Sequence, residues 1–217
     1  MEFPIKDHTI STDQNTTNNF GIILLAAGAS RRLGKPKQLL QFDGKSLLQH
    51  NINTALGANA NQVVVMLGAN AEALEKEIDQ QNIHVIINTE WQEGMASSIR
   101  CGLNAILTMA PSSDGIILML CDQPFVTASL LNDLLKTHKE TSKPVITCSY
   151  GNTFGPPTFF HKSMFSELLQ LKGDTGARKI VQQYANNIVT IPFSQGHIDI
   201  DTQSDYENLT SVPPQAH

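Results

Sequence analysis

Short, almost wholly apolar runs recur at residues 20–26, 62–67 and 115–120, and segments with helical spacing separate them. A strand that is apolar at nearly every position has both faces covered, as in a parallel sheet lying between two layers of helices. Between the runs, Ser46 and Gln49 form a capping-box pattern before a helix carrying Leu48, Ile52, Ala55 and Leu56, with Gly57 as its stop. Helices are also predicted from Asn70, over 96–110, and from a Thr127 cap through Leu130, Leu131, Leu134 and Leu135. Strands are expected at 83–87 and 145–148. Beyond Tyr150 the rhythm loosens into a short strand at 158–160, helices over 163–171 and 175–184, and a strand at 188–191. This order predicts an α/β fold of three layers, Rossmann-like, with a mostly parallel central sheet.

The first apolar run leads into Leu25-Ala26-Ala27-Gly28-Ala29-Ser30-Arg31-Arg32-Leu33-Gly34-Lys35-Pro36-Lys37, a loop at a strand's carboxyl end, where open α/β sheets bind ligands. It is not a phosphate-binding loop of the Walker type. Five residues separate Gly28 from Gly34, Pro36 follows Lys35, and Ser30 replaces the second glycine of the dinucleotide pattern. Small side chains let backbone groups approach a nucleotide closely, and Arg32 and Lys37 add two charges suited to a triphosphate. The loop is longer than the roughly 2–6 residues of an ordinary βα connection, which argues against a plain surface turn.

Any such anion site must be local, because 15 Lys+Arg against 20 Asp+Glu leave a net charge of −5 and exclude a nucleic-acid binder's broad phosphate attraction. With 217 residues the chain is long enough for one well-buried core. Its charged fraction is 16%, with a polar surface rich in Asn and Gln, which points to a mesophilic or cold-adapted source. No apolar run reaches the roughly 20 residues of a membrane helix, and residues 1–19 lack a signal core, so no membrane partner and a cytoplasmic location are expected. Cys101, Cys121 and Cys148 read as reduced thiols in apolar settings, and the His residues supply no zinc spacing. His50 and His161 read as surface or core residues, and Trp91 as packing under the loop.

LAAGASRRLGKPKQLL resembles the signature of nucleotidyltransferases with a glycosyltransferase-A-like fold. Together with EGMASSIRCGL at 93–103, LCDQP at 120–124, GPPTFF at 155–160, LKGDTGAR at 171–178 and DIDTQSDY at 199–206, the chain is similar to the molybdenum cofactor cytidylyltransferase branch over about 21–209. The resemblance implies a magnesium-dependent transfer from CTP to molybdopterin or molybdenum cofactor. It also implies transient contact with a xanthine dehydrogenase-type apoenzyme or its chaperone. Residues 1–19 are then a flexible extension, 20–210 a single nucleotidyltransferase domain and 211–217 a tail.

Asp122, just past the 115–120 strand, is placed to hold Mg²⁺, or it is a turn-forming Asp before Pro124. The resemblance makes Asp201, with Asp199 in reserve, the second metal ligand, although both acids also suit a helix amino terminus begun by Thr202. Gln203 stands where the family usually has proline. Arg32, Lys37 and Asp122 are the expected catalytic residues. By resemblance the nucleotide is held by these three with Leu25, Ala26, Ala27, Gly28, Gly94, Met95 and Ser98, and Ser98 is alternatively a helix cap. Gly155, Pro156, Asp174, Gly176 and Arg178 fall on the acceptor side, where 173–178 reads physically as a turn and helix start suited to an anion.

Overall fold

The computed structural model describes residues 19–79 and 82–211. Seven strands form one sheet: β1 (Phe20–Leu25), β4 (Gln62–Leu67), β5 (His84–Ile87), β6 (Gly115–Leu120), β7 (Val145–Tyr150), β8 (Thr153–His161) and β9 (Ile188–Pro192). They lie in the order β5-β4-β1-β6-β8-β7-β9, and a small hairpin, β2 (Gln41–Phe42) and β3 (Lys45–Ser46), stands apart. Only β8 runs against the others in the large sheet, pairing antiparallel with both β6 and β7. The expected α/β, mostly parallel architecture is what the chain adopts.

Alternation along the strands explains the three layers. Ile22, Leu24, Val63, Val65, Ile117 and Met119 face helices α1 (Leu47–Leu56) and α4 (Ala128–Thr141). Ile23, Val64, Met66, Ile116 and Leu118 face α3 (Met95–Met109), α5 (Phe165–Leu169) and α6 (Arg178–Gln183). Successive side chains of a strand point to opposite faces, so a run apolar at every position feeds both cores. Gly102 lets α3 come close to the sheet, since a Cβ there would lie 2.7 Å from Ile23 Cγ2.

The connection from β1 through α1 runs to β4 on one side, whereas the chain returns from β5 through α3 to β6 on the other. The order therefore reverses between β1 and β6, and ligands bind outside the carboxyl ends of strands at such a switch point. Leu25 and Leu120 are register partners there.

Several boundaries differ from expectation. Asn19 is already tied to the fold, its N–H donating to Asp114 Oδ2 at 3.2 Å, while residues 1–18 lie outside those described. The last helix, α7 (Gln203–Ser211), includes Ser211, which the sequence assigned to the tail; 212–217 lie outside the described residues. The helix after Asn70 is the short α2 (Ala71–Glu75). The 158–160 strand extends to nine residues because its earlier half, with Gly155, pairs with β7 across a bulge at Thr147/Cys148. The helix expected over 175–184 starts only at Arg178, since Gly173 and Gly176 take positive φ of 67° and 52°, which turns the chain rather than coiling it. Ser46 caps α1 by accepting from Gln49 N–H at 3.2 Å, but Gln49 bonds Asn53 and Asp79 with its side chain, so only half of the capping box forms.

Candidate active site

The glycine-rich loop leaves β1 pinned to the carboxyl end of β4. Ala26 N–H donates to Met66 O at 2.9 Å, and Ala69 N–H donates to Ala27 O at 3.0 Å. Ser30 turns the loop in a left-handed conformation (φ 51°), and its hydroxyl oxygen accepts from Lys37 N–H at 3.0 Å. Pro36 then starts a single 3-10 turn, Lys37–Leu39. This turn sends Gln38 inward, where its Nε2 donates to the carbonyls of Ala26 (2.8 Å) and Gly28 (2.9 Å). The buried Gln38 amide thus holds the loop open from inside. Sequence reasoning missed it, although a glutamine in the helical turn closing a glycine-rich loop is a natural partner for that loop's carbonyls.

Lys37 points the other way. Its Nζ donates to Asp122 Oδ2 at 2.5 Å and to Asp201 Oδ1 at 2.8 Å, and Arg32 Nη2 donates to Asp201 Oδ2 at 2.7 Å. Burial works against the Lys37 charge, but Asp122 and then Asp201 outweigh it and hold the ammonium above the ordinary lysine value. The Lys37 hydrogen bond, aided by Arg32, holds the Asp201 carboxyl below the usual carboxylate range.

Asp201 reaches Asp122 although 79 positions separate them. Ile200 N–H donates to Asp122 O at 3.2 Å, and the Ile200 side chain is fully buried with Leu40, Leu47 and Leu209. The buried Gln123 ties the neighbouring loop in, donating to Gly196 O at 3.1 Å. Thr202 and Asp205 cap α7 reciprocally: Asp205 N–H donates to Thr202 Oγ1, and Asp205 Oδ2 accepts from Thr202 N–H at 2.8 Å. Asp199 sits beside this group and keeps some contact with solvent. Burial and then the Asp122 charge push its carboxyl up to about 6.

A cavity of about 380 Å³ opens between the loop and the amino end of α3. Leu25, Ala26, Ala27, Gly28, Lys37, Gly94, Met95, Ser98 and Asp122 all line it, as does Asp174, which the sequence placed on the acceptor side. Arg32 does not line it. The turn after Ser30 sends the two arginines in different directions, so Arg31 faces the cavity while Arg32 stands exposed against Asp201. Gln38, Trp91 and Cys121 are further lining residues that the sequence did not single out as ligand-facing. Ser98 Oγ accepts from the buried Asn88 Nδ2 at 3.0 Å, which leaves its own proton to donate. Neither serine caps α3, whose N-cap Gly94 has no side-chain cap bond; Ser97 instead donates to Gly94 O and Glu90 O at 2.9 Å.

Gly94 has φ 119°, and a Cβ there would collide with Asp174 Oδ1 and lie 2.7 Å from Gly173 C and O. Glycine is required for both reasons. Ala96 N–H donates to Gly173 O at 3.0 Å, and Arg100 bonds both oxygens of Glu93 (2.9 and 2.6 Å) and Leu171 O (2.6 Å). Gly176 packs against Met95, and Arg178 Nη2 donates to Thr153 Oγ1 at 3.1 Å on the strand that carries Gly155 and Pro156. The segments assigned to nucleotide and acceptor therefore touch. Of the three thiols, Cys121 and Cys148 are buried and all are free; burial pushes Cys148 up to about 12 and raises Cys121 as well.

Asp122 Oδ1 is buried and lacks a hydrogen-bond partner among the described residues. An orphaned carboxylate oxygen is costly unless a cation or donor meets it. Among the described residues no three or more His, Cys, Asp and Glu side chains form a closed metal cage. A hard divalent ion that keeps most of its water and uses one or two carboxylates plus substrate phosphates needs no such cage. Asp122 and Asp201 fit that ion.

A mostly parallel sheet with a glycine-rich loop and a Lys–carboxylate cluster at its switch point defines an α/β nucleotidyltransferase. The profile of the MobA-like NTP transferase domain matches residues 22–188, and the chain belongs to that family. It is 30% identical to the purine catabolism protein PucB of Bacillus subtilis over 200 residues, covering 85% of this chain and 93% of that one. Nicotine blue oxidoreductase of Paenarthrobacter nicotinovorans is 29% identical over 199 residues, covering 88% and 91%. Rv0371c of Mycobacterium tuberculosis, solved in complex with manganese, superposes with a TM-score of 0.75 at 29% identity, covering 90% of this chain and all of that one. Among the described residues no helix is long and apolar enough to cross a membrane.

Proposed function

We propose that the protein transfers CMP from CTP to the phosphate of molybdopterin, already carrying molybdenum, and releases pyrophosphate. The observation that carries this reading is the meeting of Lys37, Asp122 and Asp201 at one edge of a cavity whose loop side is built from the small residues Ala26, Ala27, Gly28 and Ala29. The sequence motifs that resemble molybdenum cofactor cytidylyltransferases support the choice of base and acceptor.

In the reaction an acceptor phosphate oxygen bonds to the α-phosphorus of CTP while the bond to the bridging oxygen breaks and the electron pair leaves with pyrophosphate. The acceptor is already anionic, so no protein base is required, and catalysis reduces to alignment and charge stabilisation. Backbone groups of Ala26–Gly28, held by Gln38, orient the nucleotide, and Lys37 and Arg31 meet its phosphates. Asp122 and Asp201 would hold Mg²⁺, which supplies charge neutralisation at the phosphates when bound. Residues 173–178 with Gly155 and Pro156 receive the acceptor, and the product passes to a molybdenum hydroxylase of the xanthine dehydrogenase type or its chaperone. The reaction belongs in the cytoplasm, and residues 20–210 act as one domain.

The test is pyrophosphate release from CTP with molybdopterin. Asp122→Asn should keep the fold and lose about 10²-fold or more in kcat, the scale of a removed electrostatic stabiliser. Wild-type turnover by that variant at limiting Mg²⁺ would remove Asp122 from the metal site.

A further inference from the structure

The cavity wall that carries Gly94, Met95 and Ser98 belongs to α3, and the Asp174 beside it comes from the loop after α5, about 80 residues later. Three fasteners cross the seam between them. Ala96 N–H donates to Gly173 O, the Glu93 carboxylate accepts from the Gly173 amide, and Arg100 donates to Leu171 O at 2.6 Å while both its forks engage Glu93. Among the described residues Arg100 alone joins the Glu93 carboxylate to the Leu171 carbonyl. It lines no part of the nucleotide cavity, so any effect on substrate must pass through the groups it fixes.

We propose that Arg100 is a positioning residue that locks the amino end of α3 to the 171–174 loop, so that nucleotide and acceptor are held by one rigid wall. The inference rests on the functional reading above. A planar guanidinium can bind a carboxylate with two parallel bonds and still donate to a carbonyl, whereas a lysine ammonium offers no such fork. Because Gly94 has no side chain, Asp174 lies directly against it, and a shift of the loop would move Asp174 and uncover the α3 wall together. Neither substrate site can then loosen alone.

The experiment compares the full chain with Arg100→Met and Arg100→Lys by CTP binding at equilibrium, steady-state kinetics and amide hydrogen exchange. Arg100→Met should weaken CTP binding about tenfold, the size of one lost charge-assisted hydrogen bond. The acceptor KM should rise by a similar factor with kcat within about twofold, since the reacting groups are untouched. Exchange should quicken in both 94–98 and 171–174, and Arg100→Lys should recover part of each effect. Unchanged CTP affinity and KM with only lower thermal stability would overturn the proposal, as would faster exchange confined to one segment. If Arg100→Met does not fold, Arg100→Lys and Glu93→Gln carry the same readouts. A wild-type chain that binds no CTP would instead count against the functional reading, and exchange would still judge the seam.

Discussion

Between Asp122 and Asp201, Lys37 sits where burial alone would favour its neutral form, and the two carboxylates keep it charged. In the proposed reaction that charge faces the phosphates, so Lys37→Ala should lower kcat and kcat/KM together, by about 10²-fold or more. A raised KM for CTP with normal kcat would reassign Lys37 to ground-state binding. A second residue gives a pH signature unrelated to catalysis. His50 donates from Nε2–H to Pro124 O at 2.9 Å and meets the Phe42 ring edge-on at 4.8 Å. Burial holds its pKa below the ordinary histidine value, and burial, with His138 and Lys162 close by, does the same to His161. The unfolded chain therefore binds more protons than the native one just below the ordinary histidine pKa, and stability falls as pH drops below about 6.5. Urea unfolding at about pH 7.5 and about pH 5.5 should show this loss, smaller in His50→Gln. Equal losses in both proteins would contradict the assignment to His50.

At the scale of elements, the glycine-rich loop owes its shape to the 3-10 turn that follows it. Gln38→Leu preserves bulk but strips Ala26 O and Gly28 O of their donors. The expected cost is about 2 kcal/mol of stability, since an unsatisfied buried group costs about 1–3 kcal/mol. CTP binding should weaken as well, and calorimetric unfolding with binding isotherms would check both; undisturbed affinity would mean the loop holds its form without Gln38. The strands and long helices were legible in the sequence because their periodicity is local: β1, β4 and β6 begin or end within a residue of expectation. The turn at 173–178 was read, but the start of its helix was placed at Thr175 rather than Arg178, because a Thr-capped helix pattern and a two-glycine turn look alike until φ is known. The antiparallel β8 was underread for a related reason, since its first half carries Gly155 and two prolines and becomes strand only by pairing with β7.

For the whole molecule, the site was legible as a set of residues and not as a geometry. That Asp201 faces Asp122 depends on Ile200 filling a pocket between Leu40, Leu47 and Leu209, a contact no spacing rule contains. Arg31, next to the left-handed Ser30, lines the cavity, while Arg32, which the sequence singled out, bonds Asp201 of the adjoining Lys37–carboxylate cluster. The tight packing of Asp174 against Gly94 likewise shows only in three dimensions. The same assembly bears on base choice. On the proposed reading, backbone groups at 26–28 with Gly94, Met95 and the Ser98 hydroxyl, all on the cavity wall, select a pyrimidine, and a purine would collide or leave polar groups unpaired. Each unpaired group costs about 1–3 kcal/mol. Two such mismatches correspond to a preference of roughly 10 to 10⁴, at about 1.4 kcal/mol per tenfold. The decisive measurement is kcat/KM for CTP, UTP, GTP and ATP with molybdopterin as acceptor, read as pyrophosphate release. CTP is expected ahead of GTP within that range, and equal values for CTP and GTP would remove the cytidylyl assignment.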